Sequence, residues 1–308
     1  MSLTTWITGV GFDKDVFLCA FPFFESRYDV EFSYKPGIGS DILFFGLLEP
    51  NGGLADCRLD GRFEWRMPEI GGGLVKVFLT EECFDPDMKH CDFAISHSVL
   101  VNHANHLRLP HWAYPGWGAA RQLIKPDDVD WEGVAASKTR FCNFVYFHVV
   151  NWRDDLFRRL DSKRHVDAPG RCMNNMHMLG SRWDSDWVQK KLDFLPPYKF
   201  TLAIESDIWP GYQTEKIMHP MLMNSVPIYW GDPLARNDFN TKSYVDITDF
   251  RNIEEMIDYV IAVDDNPVLY ADMLAEPWFN SNQPPQFTDE SRIIKFFDRI
   301  VAEAEARK

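Results

Sequence analysis

The sequence predicts an α/β protein with two domains, each built on a mostly parallel sheet. Its 308 residues are enough for two domains of ordinary size, since compact domains cluster near ~100–200 residues. Continuous apolar runs such as ILFF (42–45) and VFL (77–79) are typical of strands that are covered on both faces. After about residue 140, strand patterns alternate with helix patterns, which is typical of a doubly wound domain.

The first domain, predicted over 1–125, consists of short strand patterns that Gly, Pro and Asp separate. The clearest of them are TTWITGV, YDVEFSY, DILFFGLL, LVKVFLTEE and CDFAISHS. The helices between these strands are only weakly indicated. The stretch 126–139 is charged, begins with a proline and lacks an apolar period of either kind, which predicts a linker.

The second domain is predicted over 140–290, followed by an amphipathic helix over 291–308. Period-2 and continuous apolar patterns predict its strands at 140–147, 199–206, 226–231 and 244–248. Helical periodicity predicts its helices at 152–164, 184–195, 214–224 and 252–263. The helix at 252–263 opens on Asn252 with Glu255 three residues later, as in a capping box.

The charge balance excludes several classes of partner. With 32 basic and 46 acidic residues the net charge is −14, which argues against an extended nucleic-acid surface or a basic membrane patch. A local pair of cations can still bind a phosphate, because salt screens exposed charges beyond roughly 8 Å. Recognition of an anion is therefore expected to depend on local chemistry.

Cysteine usage and hydropathy predict a cytoplasmic protein. The six cysteines form no CxxC pair, which is typical of reduced thiols. No secretory signal opens the chain, and its longest apolar runs are shorter than the ~20 residues that a membrane-spanning helix needs. Peripheral membrane association, or an anchor outside this sequence, stays an alternative.

One segment of the second domain, LAIESDIWPGYQTEKIMHPMLMNSVPIYWGD (202–232), has the features of an anion site. Thr214 is predicted to cap a helix whose first turn holds Glu215 and Lys216. Backbone N–H groups at such an end favour a phosphate, and Lys216 adds a full positive charge. The preceding strand ends at Glu205, at the sheet edge where open α/β sheets bind ligands. From the spacing alone, an ordinary surface turn is an equal alternative.

The same segment resembles the signature of the α1,3/α1,4-fucosyltransferases, inverting enzymes that use GDP-fucose. The shared pattern is an aromatic residue before a strand, an acid that closes it, Tyr-x-Thr-Glu-Lys, and then Val-Pro-Ile-Tyr-Trp-Gly. RFCNFV, the following Arg153 and NDFNTKSYVDITDF extend the resemblance over most of 140–275. In the first domain it is thinner and rests on VFLTEECF, CDFAIS and HLRLP.

The resemblance implies a GT-B architecture, in which two Rossmann-like domains face a central cleft. It implies that GDP-fucose binds the C-terminal domain and that a glycan acceptor, with N-acetylglucosamine or glucose as the accepting sugar, lies against the N-terminal one. No metal ion and no cofactor is expected, since positive side chains and a helix end neutralise the leaving diphosphate. Nucleic acid is not among the implied partners.

The resemblance also assigns the central roles of the reaction. The strand LVKVFLTEE ends on two acids, and a desolvated carboxylate there would have the raised proton affinity of a general base. The family's Thr-x-Glu pattern selects Glu82 over Glu81, with a solvated acidic turn as the alternative. Arg153, through its planar fork, and Lys216 are expected to hold the diphosphate.

Three further residues are expected to contact the donor. The resemblance assigns Glu215 to hydroxyl groups of the ribose or fucose, Tyr212 to packing over the ligand, and Glu205 to shaping the donor pocket. Ser206 stands where the family usually has Asn, and Phe147-His148 where it usually has Ser-Asn. Ser206 and His148 are therefore possible members of a rearranged donor pocket, with simple packing as the alternative for His148.

Two other features lie outside the donor motif. His111 and Trp112, in LPHWAYPGW, are possible acceptor contacts because aromatic rings stack on sugar faces, although core packing is equally compatible. Pro220 interrupts the helix predicted at 214–224 and removes one hydrogen bond, so a kink or an early end is expected.

Two alternative functions stay open. A metal-dependent nucleotide-sugar transferase with a different donor would need an Asp-x-Asp pair, and three occur, at 85/87, 128/130 and 184/186. A non-catalytic nucleotide- or carbohydrate-binding protein would bind GDP without turnover. Hydrolysis by paired acids is less favoured, because neighbours such as Glu81 and Glu82 point to opposite faces of a strand.

Overall fold

The computed structural model describes residues 2–8, 13–33, 40–46, 55–57, 63–65, 73–181 and 183–308. These residues form two compact units. The N-terminal unit comprises Met1–Ala120, Pro210–Tyr212 and Pro285–Lys308, and the C-terminal unit comprises Arg121–Trp209 and Gln213–Pro284.

The N-terminal unit contains a six-stranded parallel sheet. The strands of this unit are β1 (Leu3–Thr8), β2 (Val30–Ser33), β3 (Ile42–Phe45), β4 (Ala55–Cys57), β5 (Phe63–Trp65), β6 (Val75–Leu79), β7 (Phe93–Ser96) and β8 (His106–Arg108). Its helices are α1 (Lys14–Ala20), α2 (Phe23–Arg27), α3 (Ala119–Gln122, which ends in the next unit) and the C-terminal α10 (Glu290–Arg307). The sheet order is β2-β1-β3-β6-β7-β8, while β4 and β5 form a separate antiparallel pair.

An aromatic core explains why α10 belongs to this unit. All four residues of β3 are buried, as expected for a strand covered on both faces. The ring of Phe297 on α10 stacks on Phe44 of β3 with centroids 6.0 Å apart and lies 4.9 Å from Phe21. The apolar face of the C-terminal amphipathic helix is thus used in packing against the sheet.

The C-terminal unit contains a five-stranded parallel sheet in the order β10-β9-β11-β12-β13. Its strands are β9 (Arg140–Asn143), β10 (Val166–Asp167), β11 (Tyr198–Ile204), β12 (Val226–Trp230) and β13 (Val245–Asp246). Its helices are α4 (Trp131–Ala136), α5 (Asn151–Lys163), α6 (Trp187–Phe194), α7 (Glu215–Leu222), α8 (Ile253–Asp265) and α9 (Pro267–Ala275).

The strand order locates the crevice of the C-terminal sheet. From β9 the chain passes to β10 on one side and then to β11 on the other, so the order reverses between β9 and β11. In doubly wound sheets, ligands bind beyond the carboxyl ends of the two strands at such a switch point. A ligand site is therefore expected at the segments that follow β9 and β11.

The motif strand and helix form for local reasons that the sequence shows. Six of the seven residues of β11 are buried, and Thr214 caps α7 by accepting the backbone N–H of Lys216. Pro220 lies inside α7, yet the helix continues to Leu222, and the Pro220 carbonyl accepts the N–H of Ser225 at 2.9 Å. The expected early end thus falls two residues after the proline.

Several elements differ from the sequence-based expectation. The segment expected to be a linker contains α4, which Asp130 caps by accepting the Gly133 N–H at 2.8 Å. Helix α9 begins at Pro267, which sequence patterns did not single out. Within the described residues, no helix combines the length and the apolar character needed to cross a bilayer.

Candidate functional site

Arg153 lies in the first turn of α5, directly after the segment that leaves β9. Arg153 is 4% exposed, and its guanidinium stacks over the ring of Tyr146 at 3.9 Å from the ring centroid. Nη2 donates to the carbonyl of His148, while Nε has no hydrogen-bond partner among the described residues. A buried donor without a partner is costly, so an incoming acceptor would stabilise this guanidinium.

Tyr146 connects the ends of the two switch-point strands. Its hydroxyl accepts the Ile204 N–H at 2.6 Å and lies 2.9 Å from the Leu202 carbonyl, both on β11. Burial raises the pKa of Tyr146, and the positive charges of Arg153 and Lys216 both lower it. The Tyr146 hydroxyl thus connects the segment before Arg153 with the end of the strand that leads to Glu205.

Glu205 directly follows β11 and is 1% exposed. Its carboxylate accepts the Thr214 N–H at 2.8 Å and lies 3.0 and 2.8 Å from the Thr214 hydroxyl. Burial raises the pKa of Glu205, while Lys216, at 3.2 Å, lowers it. The first N–H at this helix end is thus occupied by an internal carboxylate, a contact that the sequence analysis did not anticipate.

Lys216 and Glu215 occupy the first turn of α7 beside this carboxylate. Lys216 Nζ lies 3.0 Å from the Thr214 hydroxyl and 3.7 Å from Glu215 Oε1. The side chains of Lys216 and Glu215 are 20% and 30% exposed, so both reach the surface of the unit. We call Arg153, Glu205, Thr214, Glu215 and Lys216 the anion site.

A cavity of about 300 Å³ lies next to the segment that leaves β9. It is lined by Phe147, His148, Arg171, Met178, Gly180, Ser181 and Trp183. His148, expected as a possible donor contact, is exposed and belongs to this lining. Ser206 is also exposed, directly after Glu205. Their contacts with a donor stay predictions.

The acids after β6 in the N-terminal unit differ in their surroundings. Glu82 is exposed, and its N–H donates to the Thr80 hydroxyl at 3.1 Å, so the expected desolvation of this carboxylate is wrong for the structure described. Strand β6 ends at Leu79, three residues before Glu82, so the carboxylate of Glu82 lies beyond the buried part of the strand. Glu81 instead lies 3.5 Å from His111 Nε2, as an ion pair when the imidazole is protonated. His111 thus has a carboxylate partner, and its acceptor contact stays a prediction.

Two aromatic residues of the expected site are buried in the N-terminal unit. Trp112 is fully buried and packs edge-on against Phe287 at 5.8 Å, which corrects its assignment as an acceptor contact because no ring face is accessible. Tyr212 is 3% exposed and lies edge-on to His97 at 5.0 Å. The preceding Gly211 has φ +87°, and a Cβ there would come within 2.4 Å of the His97 carbonyl, so this turn requires glycine.

The described ranges contain no group of three or more His, Cys, Asp or Glu side chains placed to hold a metal ion. Each of the three Asp-x-Asp pairs has a member with a local structural use. Asp87 accepts the Lys89 N–H at 3.0 Å. Asp130 caps α4, and Asp184 and Asp186 lie 3.3 and 2.8 Å from Lys190.

Comparison with known families adds an independent observation. The model of glycosyltransferase family 10, described as the C-terminal part of the fucosyltransferases, matches residues 135–296, more than half of the chain. The match includes the whole anion site.

Two curated relatives match parts of the chain. A putative fucosyltransferase of Acanthamoeba polyphaga mimivirus is 37% identical over 133 residues, which is 42% of this chain and 22% of that protein. An alpha-(1,3)-fucosyltransferase of Helicobacter pylori is 47% identical over 73 residues, 24% of this chain and 15% of that protein. The matched parts thus span about a fifth or less of these relatives.

A solved structure extends the likeness to the fold of the whole chain. A crystal structure of an alpha1,3-fucosyltransferase with GDP-fucose superposes with a TM-score of 0.74 at 24% identity, over 97% of this chain and 90% of that one. This similarity confirms the predicted fold class, an α/β protein of the GT-B type with two Rossmann-like units.

Proposed function

The chain belongs to glycosyltransferase family 10, the fucosyltransferases, and from this premise we propose that it transfers fucose from GDP-fucose to a hydroxyl group of a glycan. The linkage that we propose is α1,3, to N-acetylglucosamine or glucose. Similarity to an alpha-(1,3)-fucosyltransferase supports the linkage, although the match covers only part of that relative.

The observation that carries the proposal is a pair of cations at the switch point, the buried Arg153 and the partly buried Lys216. Arg153 follows β9 and Lys216 follows β11, so they are positioned by the two strands between which the order reverses. Cations at such an edge are suited to a nucleotide diphosphate, because Arg forms bidentate hydrogen bonds with phosphate oxygens and Lys adds a point charge. The free Nε of Arg153 supplies a donor for such an oxygen.

The proposed reaction is a single displacement. The acceptor hydroxyl attacks C1 of fucose, the bond from C1 to the diphosphate oxygen breaks, and GDP leaves as the anomeric configuration inverts. Positive charge develops on the sugar ring and negative charge on the leaving phosphate. Arg153 and Lys216 stabilise the negative charge on the leaving phosphate. Each such donor typically lowers the free energy of the transition state by ~3–4 kcal/mol.

Glu82 is proposed as the general base that accepts the proton of the acceptor hydroxyl. Its support is the family resemblance of the Thr-x-Glu stretch and its position at the carboxyl end of β6. Glu215 is proposed to bind hydroxyl groups of the donor. The partial exposure of its side chain, 30%, and its position 3.7 Å from Lys216 Nζ support that role.

We also propose that the transfer needs no metal ion, because the anion site provides its own cations. Activity that persists in excess EDTA supports this proposal. Activity that EDTA abolishes and manganese restores would instead favour the metal-dependent class of transferase.

The experiment that tests the function is incubation with GDP-fucose and a panel of sugar acceptors. The expected result is release of GDP together with a product that is heavier by one fucose residue. GDP-mannose in place of GDP-fucose tests the donor assignment. GDP binding without release or product across the panel would favour a non-catalytic binding protein.

A matched pair of variants tests the base. Glu82→Gln should lose transfer by at least ~100-fold, the usual contribution of a general base, and should retain GDP binding. Glu81→Gln, one residue away and paired with His111, should retain most of the activity. Equal effects of the two substitutions would remove Glu82 from the mechanism.

The proposed location is a reducing compartment. Its support is that Cys19, Cys91, Cys142 and Cys172 are free thiols in the part of the chain that the structure describes. Cys57 lies among the residues whose side chains the structure does not describe.

A further inference from the structure

Lys191, in the middle of α6, is a buried lysine that the sequence patterns did not single out. The residue is 8% exposed, whereas the neighbouring Lys190 has a side chain that is 38% exposed and pairs with surface acids. Trp187, one turn earlier on α6, contacts Phe147 edge-on at 4.8 Å, in the segment that leaves β9. This face of α6 therefore runs along the switch point of the sheet.

The ammonium group of Lys191 joins a row of alternating charges. Its Nζ lies 3.9 Å from Glu215 Oε1, which lies 3.7 Å from Lys216 Nζ. Lys216 Nζ in turn lies 3.2 Å from Glu205 Oε2. One oxygen of Glu215 is thus shared between two ammonium groups, so neither cation has this carboxylate to itself.

Two other buried lysines of this unit show how a structural lysine is satisfied. Lys138 donates to the carbonyls of Pro196 and Met223 at 2.7 and 2.8 Å. Lys125 donates to two carbonyls, of Leu274 and Glu276, and its ammonium lies over a tryptophan ring. Both side chains are held by backbone acceptors and therefore have an evident role in packing.

Lys191 has no such acceptor. In the described ranges its only recorded partner is the shared oxygen of Glu215, at a distance too long for a hydrogen bond. Burial lowers the pKa of Lys191, and Glu215 raises it only in part. A buried ammonium is costly unless charge and hydrogen bonds compensate it, so the protein groups around Lys191 compensate its charge incompletely.

We propose that Lys191 is a third cation of the anion site and contacts the diphosphate of the donor, together with Arg153 and Lys216. The inference rests on the proposed function. Before a donor binds, Lys191 and Lys216 are balanced by Glu205 and Glu215. When Glu215 turns to hydroxyl groups of the donor, both ammonium groups become available to the phosphate oxygens. Lys191 then gains the acceptor that it lacks.

The test compares Lys191→Met with Lys190→Met, the adjacent lysine on the same helix. GDP affinity is measured by isothermal titration calorimetry, and the melting temperature is measured without ligand. Lys191→Met should weaken GDP binding by about 10- to 100-fold, the equivalent of one hydrogen bond between charged groups. Its melting temperature without GDP should stay the same or rise, because an apolar side chain of similar length replaces a poorly compensated buried charge. Lys190→Met should change GDP affinity by less than about twofold, as expected for an exposed pair.

Each other outcome has a definite meaning. Unchanged GDP affinity of Lys191→Met would overturn the proposal while leaving the proposed function intact. Weakened affinity together with a lowered melting temperature without ligand would identify Lys191 as a structural residue and would also overturn it. Absence of GDP binding by the unmodified protein would overturn both this inference and the proposed function.

Discussion

Replacing Thr214 by valine tests whether one hydroxyl group holds the charged side chains of the anion site together. This hydroxyl lies 2.8 Å from Glu205 Oε2 and 3.0 Å from Lys216 Nζ, and it accepts the N–H of Lys216 at the start of α7. Valine is similar in shape to threonine and removes these contacts together with the 3.0 Å contact of the hydroxyl with Glu205 Oε1. The residue is 4% exposed, so water cannot fully replace them.

The expected magnitude follows from two contributions. Loss of a helix cap costs about 1 kcal/mol. Loss of a buried hydrogen bond to a charged group costs about 1.5–3 kcal/mol more. We therefore expect Thr214→Val to lower the free energy of unfolding by ~3 kcal/mol, which is a large fraction of the ~5–15 kcal/mol that stabilises a typical protein.

The assay is urea unfolding followed by far-UV circular dichroism, with Asn252→Ala as the control. Asn252 caps α8 by accepting the Glu255 N–H at 2.9 Å, at an exposed position with no buried charge nearby in the cap. Its replacement should cost only the ~1 kcal/mol of a cap. If Thr214→Val is no more destabilising than Asn252→Ala, the hydroxyl does not hold the charged groups together and the reasoning is wrong.

Three further predictions follow from the same structure. Arg153→Lys should weaken GDP binding by at least ~10-fold in calorimetry, because it retains the charge but loses the bidentate fork; affinity equal to that of the unmodified protein would contradict this. Glu82→Gln should bind GDP normally and lose transfer, so a parallel loss of both would indicate a structural effect. Burial lowers the pKa of His97 and of His106 to about 4, from 6.5. As the pH falls, the unfolded chain therefore protonates at these two imidazoles before the folded protein does. Their contribution to the free energy of unfolding is present above pH 6.5 and is lost as the pH falls towards 4, by up to roughly 3 kcal/mol for each imidazole. The urea midpoint should accordingly be lower at pH 5 than at pH 7.5, and equal midpoints would contradict the prediction.

The strand–helix–strand segment of the anion site could be predicted from sequence because its signals are local. The run that forms β11 is apolar almost throughout, Thr214 is a good cap, and the run that forms β12 is equally apolar. Each of these features determines the structure of its own neighbours in the chain.

The contacts within the site could not be predicted in this way. The carboxylate of Glu205 takes the N–H of Thr214 nine residues later, and Lys191 reaches Glu215 from another helix. Both contacts depend on how α6 and α7 pack on the sheet. Lys191 had one available signal, which is that it lies one turn after Trp187 on α6, but a lysine at such a position is usually exposed.

Burial at strand ends was the other source of error. The sequence suggested that Glu82 would be desolvated because its strand is apolar, but the strand ends at Leu79 and the acid is exposed. Trp112 was weighed equally as a ligand contact and as core, and it proved to be core. An aromatic residue in a loop does not reveal its burial until the opposing side chain, here Phe287, is known.

The most direct test of the central claim is the position of the diphosphate in a crystal structure of the complex with GDP. The account predicts phosphate oxygens within ~3 Å of both the Arg153 guanidinium and the Lys216 ammonium. A diphosphate that is bound elsewhere on the C-terminal unit, with neither of these two side chains in contact with it, would contradict it.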